Sequence, residues 1–428
     1  MNLYLLERIN LRFFILNIFF LYYETKYIPG TLHGLLLLSG IGLVLIKWFG
    51  GNREASVLTL DLFLGYLLIL IILVSFATQT MSLIFEGDGF FEGQFLNLRA
   101  YLFMPLTFIY LRLTFNHYDY NFFINTCKWF LISNSILMTL QLLTGSFYIA
   151  QSLAAGEGSY YIPSGWFDGP TKNGMIIAFS LGIYFGKFLF INKKFSLLDW
   201  SALMLGLITL PIAASRAGLI SSVAVLTLAI IMYLFMRLIE AQNLERKLPR
   251  IVSLFSFALL AVAILAYSTG VTNFTQAIES FGEDAATAGA IVYKATNILD
   301  DSISERFTFW EMLLESIRSY PLVLLTTGWG PGYFEVINMG DNMHNSYLEL
   351  FFQLGLMGFV VFITLFIFLI KRSKIISNLY LVPIFLGLIS TMVFMMAHDV
   401  LRGRLVWMSL GIIGALTFHL KSNSYSIK

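Results

Sequence analysis

The sequence predicts an all-α polytopic membrane protein, and three observations predict it. The first is composition: 58% of the 428 residues are hydrophobic and only 12% charged, with a mean hydropathy of +0.78, whereas a soluble domain carries roughly 25% charge. The second is patterning. The apolar residues gather into runs of about 17 to 25, the length a helix needs to cross about 30 Å of hydrocarbon, and they do not alternate as barrel strands would. The third is the Lys and Arg between the runs, which are biased toward alternate connections. A formal net charge of +2 offers no footprint for nucleic acid, and membrane lipids are the expected surroundings.

Twelve candidate spans follow in order, at 8–23, 31–49, 57–77, 96–115, 122–144, 173–191, 197–214, 217–239, 251–269, 347–370, 377–397 and 403–420. Arg8 and Arg12 crowd the start of the first. A signal peptide competes for that run, but no small-residue cleavage site follows in "FFLYYETKYIPG". The chain therefore reads as one membrane domain over 1–428, with a large outer loop at 271–345 between blocks of spans. With the amino terminus on the cytoplasmic side, eighteen of the 27 Lys and Arg fall inside, Arg8, Lys47, Arg112, Lys187 and Arg372 among them. Both termini are expected there.

The outer side keeps Lys26, Arg99, Lys172, Arg216, Lys294, Arg306, Arg318, Arg402 and Arg404, six of them arginine. A guanidinium fork suits bidentate phosphate binding, whereas lysine is a point charge. One cysteine, Cys127, supports no disulfide framework, and the five histidines are too scattered for a metal cluster. No metal and no cofactor are expected.

Two outer connections are long, 145–172 and 271–345, and long loops in compact proteins tend to be functional. In the second, "SERFTFWEMLLESIRSY" spaces Phe307, Trp310, Leu313, Leu314 and Ile317 as one helix face, with Ser304 as a cap and Arg306 and Arg318 near the ends. An amphipathic helix on the outer surface is expected. Gly328, Gly330 and Gly332 then surround Trp329 and Pro331 in a tight turn. That turn either returns the chain to the membrane or brings backbone close to a ligand.

Arg216 stands in "LPIAASRAGLISS", between two apolar runs with almost no loop to hold it. A charge at the membrane boundary costs a few kcal/mol unless it is paired or snorkels, so Arg216 either staples helices and headgroups or serves function. Asn345 or Ser346 is an ordinary N-cap for the helix beginning near Tyr347, with Glu349 in its first turn. His344 is left over. Its imidazole is either a structural hydrogen bonder or a general base. The outer aromatics Tyr160, Tyr161, Trp166, Phe167, Trp310 and Trp329 either sit at headgroup level or stack on sugar rings.

As an ordered set, "FDGPTKNGMIIA", "SRAGL", "ERFTFWEMLLESI", "GWGPGYF" and "HNSYLELFFQLGLMGF" resemble the O-antigen ligase and polymerase superfamily of bacterial membrane glycosyltransferases. The resemblance covers the second half of the chain best. It implies a GT-C type fold in the bacterial inner membrane, working at the periplasmic face without metal. The donor it implies is a glycan on undecaprenyl diphosphate; the acceptor is another glycan in a polymerase, or lipid A core in a ligase, and a chain-length regulator is an implied partner. Carried over position by position, Arg216, Arg306 and His344 are the implied catalytic residues. Arg318, Arg402, Arg404, Asn345, Asn173 and Trp329 are further candidates for holding substrate. A polysaccharide flippase competes, but transporters show repeats and midplane charges. Here the notable charges sit at the outer boundary.

Overall fold

The computed structural model describes residues 3–20, 31–49, 59–86, 92–144, 165–167, 170–191, 195–213, 215–240, 315, 317–319, 321–331, 345–375, 378–396 and 404–425. Their regular structure is helical: α1 (Leu3–Phe20), α2 (Thr31–Phe49), α3 (Leu60–Glu86), α4 (Glu92–Thr114), α5 (His117–Thr144), α6 (Pro170–Gly186), α7 (Leu197–Ile212), α8 (Arg216–Glu240), the short α9 (Pro321–Leu325), α10 (Ser346–Ser373), α11 (Val382–Met395) and α12 (Arg404–Tyr425). Eleven of the twelve expected spans coincide with helices, and the one placed at 251–269 lies outside the described residues. Five helices among the described residues are long and apolar enough to cross a membrane: Leu32–Phe49, Leu60–Met81, Thr171–Ile191, Ala217–Met236 and Ser346–Ser373.

Helix starts are built by local capping. The Asn116 side chain accepts the amides of Tyr118 at 2.9 Å and Asp119 at 3.3 Å, and the Asp119 carboxylate accepts the Asn116 amide at 3.2 Å. Ser196 and Asp199 repeat the exchange at the start of α7, at 3.1 and 3.2 Å. Each reciprocal pair satisfies first-turn amides that hydrocarbon could not.

Helix α6 lies at the centre. Of its apolar window 83% is buried, against 22% for α2, so the first is enclosed by protein and the second is left for lipid. It packs against α11 and α8, while α12 packs against α4 and α11. Small residues set the closeness of α6 to α11: a Cβ at Gly182 would lie 2.9 Å from the Leu386 carbonyl oxygen. Lipid tails are as apolar as leucine, so close van der Waals packing carries much of the helix association.

At one end of the bundle, ion pairs tie helix ends together. Glu7 and Asp119 share Arg8, and Glu7 also takes Lys47 at 3.2 Å, joining α1, α2 and α5. Asp61 takes Arg112 at 2.6 Å and Arg372 at 3.4 Å, joining α3, α4 and α10. Asp199 takes Lys187 at 2.8 Å and Lys128 at 3.7 Å, joining α7, α5 and the π turn (Lys187–Ile191) that ends α6. These cations are ones that the Lys and Arg count assigns to a single side. The helix ends that these pairs bring together, in α1 to α7 and α10, are ones that the count puts on the same side.

Candidate functional site

The opposite end is polar but built differently. Helix α10 is broken near its start: Gly355 adopts φ 66°, ψ −175°, a conformation that side chains oppose. Residues 346–354 form a half-helix that leaves the direction of the rest. A break strands backbone carbonyls, and inside a membrane protein each must find a donor.

The donors come from the turn after α9. Trp329 gives its amide to the Phe352 carbonyl at 3.0 Å and Gly330 gives its amide to Gln353 at 2.9 Å. From α3, the buried Ser75 hydroxyl stands 2.8 Å from the Gln353 carbonyl and 2.7 Å from the Thr327 carbonyl, its one proton shared between them. The turn needs its glycines. Gly328 and Gly330 have φ of 70° and 91°, and a Cβ at Gly328 would lie 2.6 Å from the Gln353 carbonyl. The tight turn expected from "GWGPG" therefore approaches backbone, namely that of the broken helix. Beside it, Gln79 of α3 is buried with neither amide atom hydrogen-bonded, and a Cβ at Gly330 would meet its Cβ at 2.7 Å.

The half-helix is held at two further points. Glu349, 2% exposed, accepts the Tyr101 hydroxyl at 2.6 Å and the Gln353 amide at 3.0 Å. At the tip, Asn345 caps the helix, accepting the amides of Tyr347 at 3.0 Å and Leu348 at 3.2 Å. Its own amide donates to the Met396 carbonyl at 3.2 Å, and the Tyr347 hydroxyl donates to Met392 at 3.0 Å, both at the end of α11. The cap expected at 345 is present, and Asn345 also joins two helices.

Of the other expected site residues, His344, Arg306 and Arg402 lie outside the described residues, as does most of the amphipathic helix, though its last turn at 317–319 is helical and Arg318 is exposed there. Arg216 opens α8 after Ser215, whose side chain packs against Gly174, so the Arg216 backbone stands next to the start of α6; its side chain lies outside what is described. Asn173 is fully buried, its amide 3.0 Å from the Met138 sulfur and its carbonyl oxygen without a hydrogen-bond partner. Trp329 stacks on the Phe352 ring with centroids 6.4 Å apart. Arg404 opens α12 and acts electrostatically on the buried His33 of α2, which bonds Asn17 at 2.9 Å. Trp166 turns inward, its indole bonded to Ser133 at 3.2 Å and its ring edge-on to Phe20.

The structure thus joins Trp329 to the half-helix that carries Asn345. It adds Ser75, Tyr101 and Gln353, which sequence reading did not single out, and it gives Glu349, expected in the first turn, two buried hydrogen bonds. Ser75 and Gln79 interrupt the apolar run "LVSFATQTMS" and Glu349 interrupts "NSYLELFF", so the signal was there. Among the described residues no group of three or more His, Cys, Asp or Glu stands together as a metal site.

Residues 201–363 match the model of the family described as O-Antigen ligase, a stretch running from α7 to the middle of α10. No curated protein matches the chain.

Proposed function

We propose, from the similarity of residues 201–363 to the O-antigen ligase family, that the chain is a member of the O-antigen ligase/polymerase superfamily and a GT-C type membrane glycosyltransferase. It moves a glycan from undecaprenyl diphosphate to an acceptor sugar at the periplasmic face of the bacterial inner membrane, polymerising O-antigen or other surface-polysaccharide repeat units. The family match carries this reading, because it contains Arg216, Arg306, Arg318, Trp329, His344 and Asn345 in one stretch.

Physical chemistry supports the assignment of roles. When an acceptor hydroxyl attacks the anomeric carbon, the bond to the diphosphate breaks and its electron pair stays on the departing oxygen. Arg216 and Arg306, helped by Arg318, Arg402 or Arg404, hold that charge, each charge-assisted hydrogen bond contributing about 1.5–3 kcal/mol. His344 takes the hydroxyl proton. Attack from the face opposite the diphosphate inverts the anomeric configuration, and arginines do here what a divalent ion does in many nucleotide-sugar transferases.

The description of the matched family favours a second reading, in which the finished chain is transferred to lipid A core. One experiment separates them. The full chain in a bilayer, given purified lipid-linked repeat units, should yield a ladder of products if it polymerises. A single transfer, dependent on added lipid A core, marks a ligase, and turnover of neither overturns the glycosyltransferase reading.

A further inference from the structure

We propose that Ser75 of α3 is a positioning residue for glycan transfer: its hydroxyl bolts the turn at 326–331 to the break in α10 and so fixes the direction of the half-helix whose tip is Asn345, next in chain to His344. The inference rests on the glycosyltransferase reading above and deepens it.

A continuous helix transmits direction along its own hydrogen bonds. Half-helix 346–354 cannot draw its direction from the rest of α10, because Gly355 at φ 66° breaks the path. Lateral contacts must set it. Those described lie at the tip, through Asn345 and Tyr347 to α11; in the middle, through Tyr101 to Glu349; and at the base, through Ser75 and the turn. The base is where a small error is amplified most. Nine residues of helix span about 13 Å, so a tilt of about 5° at the base moves the tip by about 1 Å, and a misplacement of that size near a reacting group costs on the order of 100-fold in rate.

Ser75 suits this role because it is fully buried and faces both strands of the junction. Its oxygen stands 2.7 Å from the Thr327 carbonyl and 2.8 Å from the Gln353 carbonyl. The Gln353 carbonyl has a second donor in the Gly330 amide. Among the described residues, Ser75 is the donor to the Thr327 carbonyl. Loss of the hydroxyl therefore loosens the turn first and the half-helix through it.

The test uses the full chain in a bilayer with a lipid-linked glycan donor. Ser75→Ala should lower kcat at least about tenfold with donor KM within about threefold, and Ser75→Thr, which keeps the hydroxyl, should restore it. Wild-type kcat in Ser75→Ala, or equal loss in both variants, overturns the proposal. Should Ser75→Ala not fold, Tyr101→Phe releases the middle support without touching the turn and should give the same fall in kcat at constant KM; wild-type kcat there overturns it too. Hydrogen exchange at Trp329 and Gly330 reports the bolt without any reaction and should quicken at least about tenfold in Ser75→Ala, unchanged exchange overturning it. A wild-type chain that transfers no glycan while exchange responds in this way overturns the functional reading and leaves the bolt, so the two failures are distinguishable.

Discussion

The two ends of the bundle solve the same problem with opposite chemistry. At one end, Glu7, Asp61, Asp119 and Asp199 draw in lysines and arginines, and three clusters staple helix ends in register. At the other, Ser75, Tyr101, Gln141 and Asn345 bond uncharged groups or a carboxylate, and a helix is broken and repaired by a neighbouring turn. Charges that neutralise one another leave little field for a substrate. The diphosphate site proposed above is assigned to the second end, where the contacts described are hydrogen bonds.

The sharpest way to break the comparison is at Arg216. If this arginine grips diphosphate oxygens through two charge-assisted bonds, Arg216→Ala loses about 3–6 kcal/mol of transition-state stabilisation, a rate loss on the order of 10² to 10⁴. Bidentate geometry makes Arg216→Lys nearly as poor. Initial rates with purified lipid-linked donor decide it, and full activity in the lysine variant removes the clamp.

At the charged end the expectation reverses, with stability lost and chemistry kept. Asp61→Ala strands Arg112, whose side chain is 5% exposed, and weakens the hold on Arg372. Removing one partner of a buried pair costs about 3–5 kcal/mol. The unfolding midpoint in detergent should fall markedly while turnover per folded molecule stays within about twofold. A large loss of turnover at an unchanged midpoint would erase the division of labour between the ends.

Much of this was legible in the sequence, and the exceptions share a cause. The span expected at 31–49 is α2 to the residue, since apolar length and hydropathy are local properties. Helix α3 runs to Glu86 instead of 77, because Thr78 and Thr80 bond back to carbonyls four residues earlier and Gln79 meets the turn, so polar side chains that end an apolar run do not end the helix. The cap at Asn345 was readable from a short local pattern. The break at Gly355 was not: a glycine in an apolar helix reads equally as a close-packing site, which Gly182 is. What distinguishes Gly355 is its company, and Ser75 lies 278 residues from Gln353 in the chain.

The break itself can be tested by mending it. Gly355→Ala places a Cβ in a strained backbone region, 2.6 Å from the Gly328 amide nitrogen. Strain of this kind costs about 1–3 kcal/mol, and the turn must move or the helix straighten. Either result should reduce the unfolding midpoint modestly and transfer activity more. Glycans transferred at the wild-type rate would show that the half-helix needs no particular direction.

The smallest expected effect is at Asn345, and it separates a cap from a contact. Asn345→Ala removes both the cap on the Tyr347 and Leu348 amides and the bond to Met396, whereas Asn345→Asp keeps the cap and loses the donor to Met396. Loss of an N-cap costs about 1 kcal/mol, so Asn345→Ala should lower stability by that amount and Asn345→Asp should restore most of it. Activity need not follow. If the bond to α11 holds the tip in place, Asn345→Asp regains most of the stability and is still slow, and the ratio of its turnover to that of Asn345→Ala measures how much of the tip's position comes from α11 and how much from the helix's own first turn.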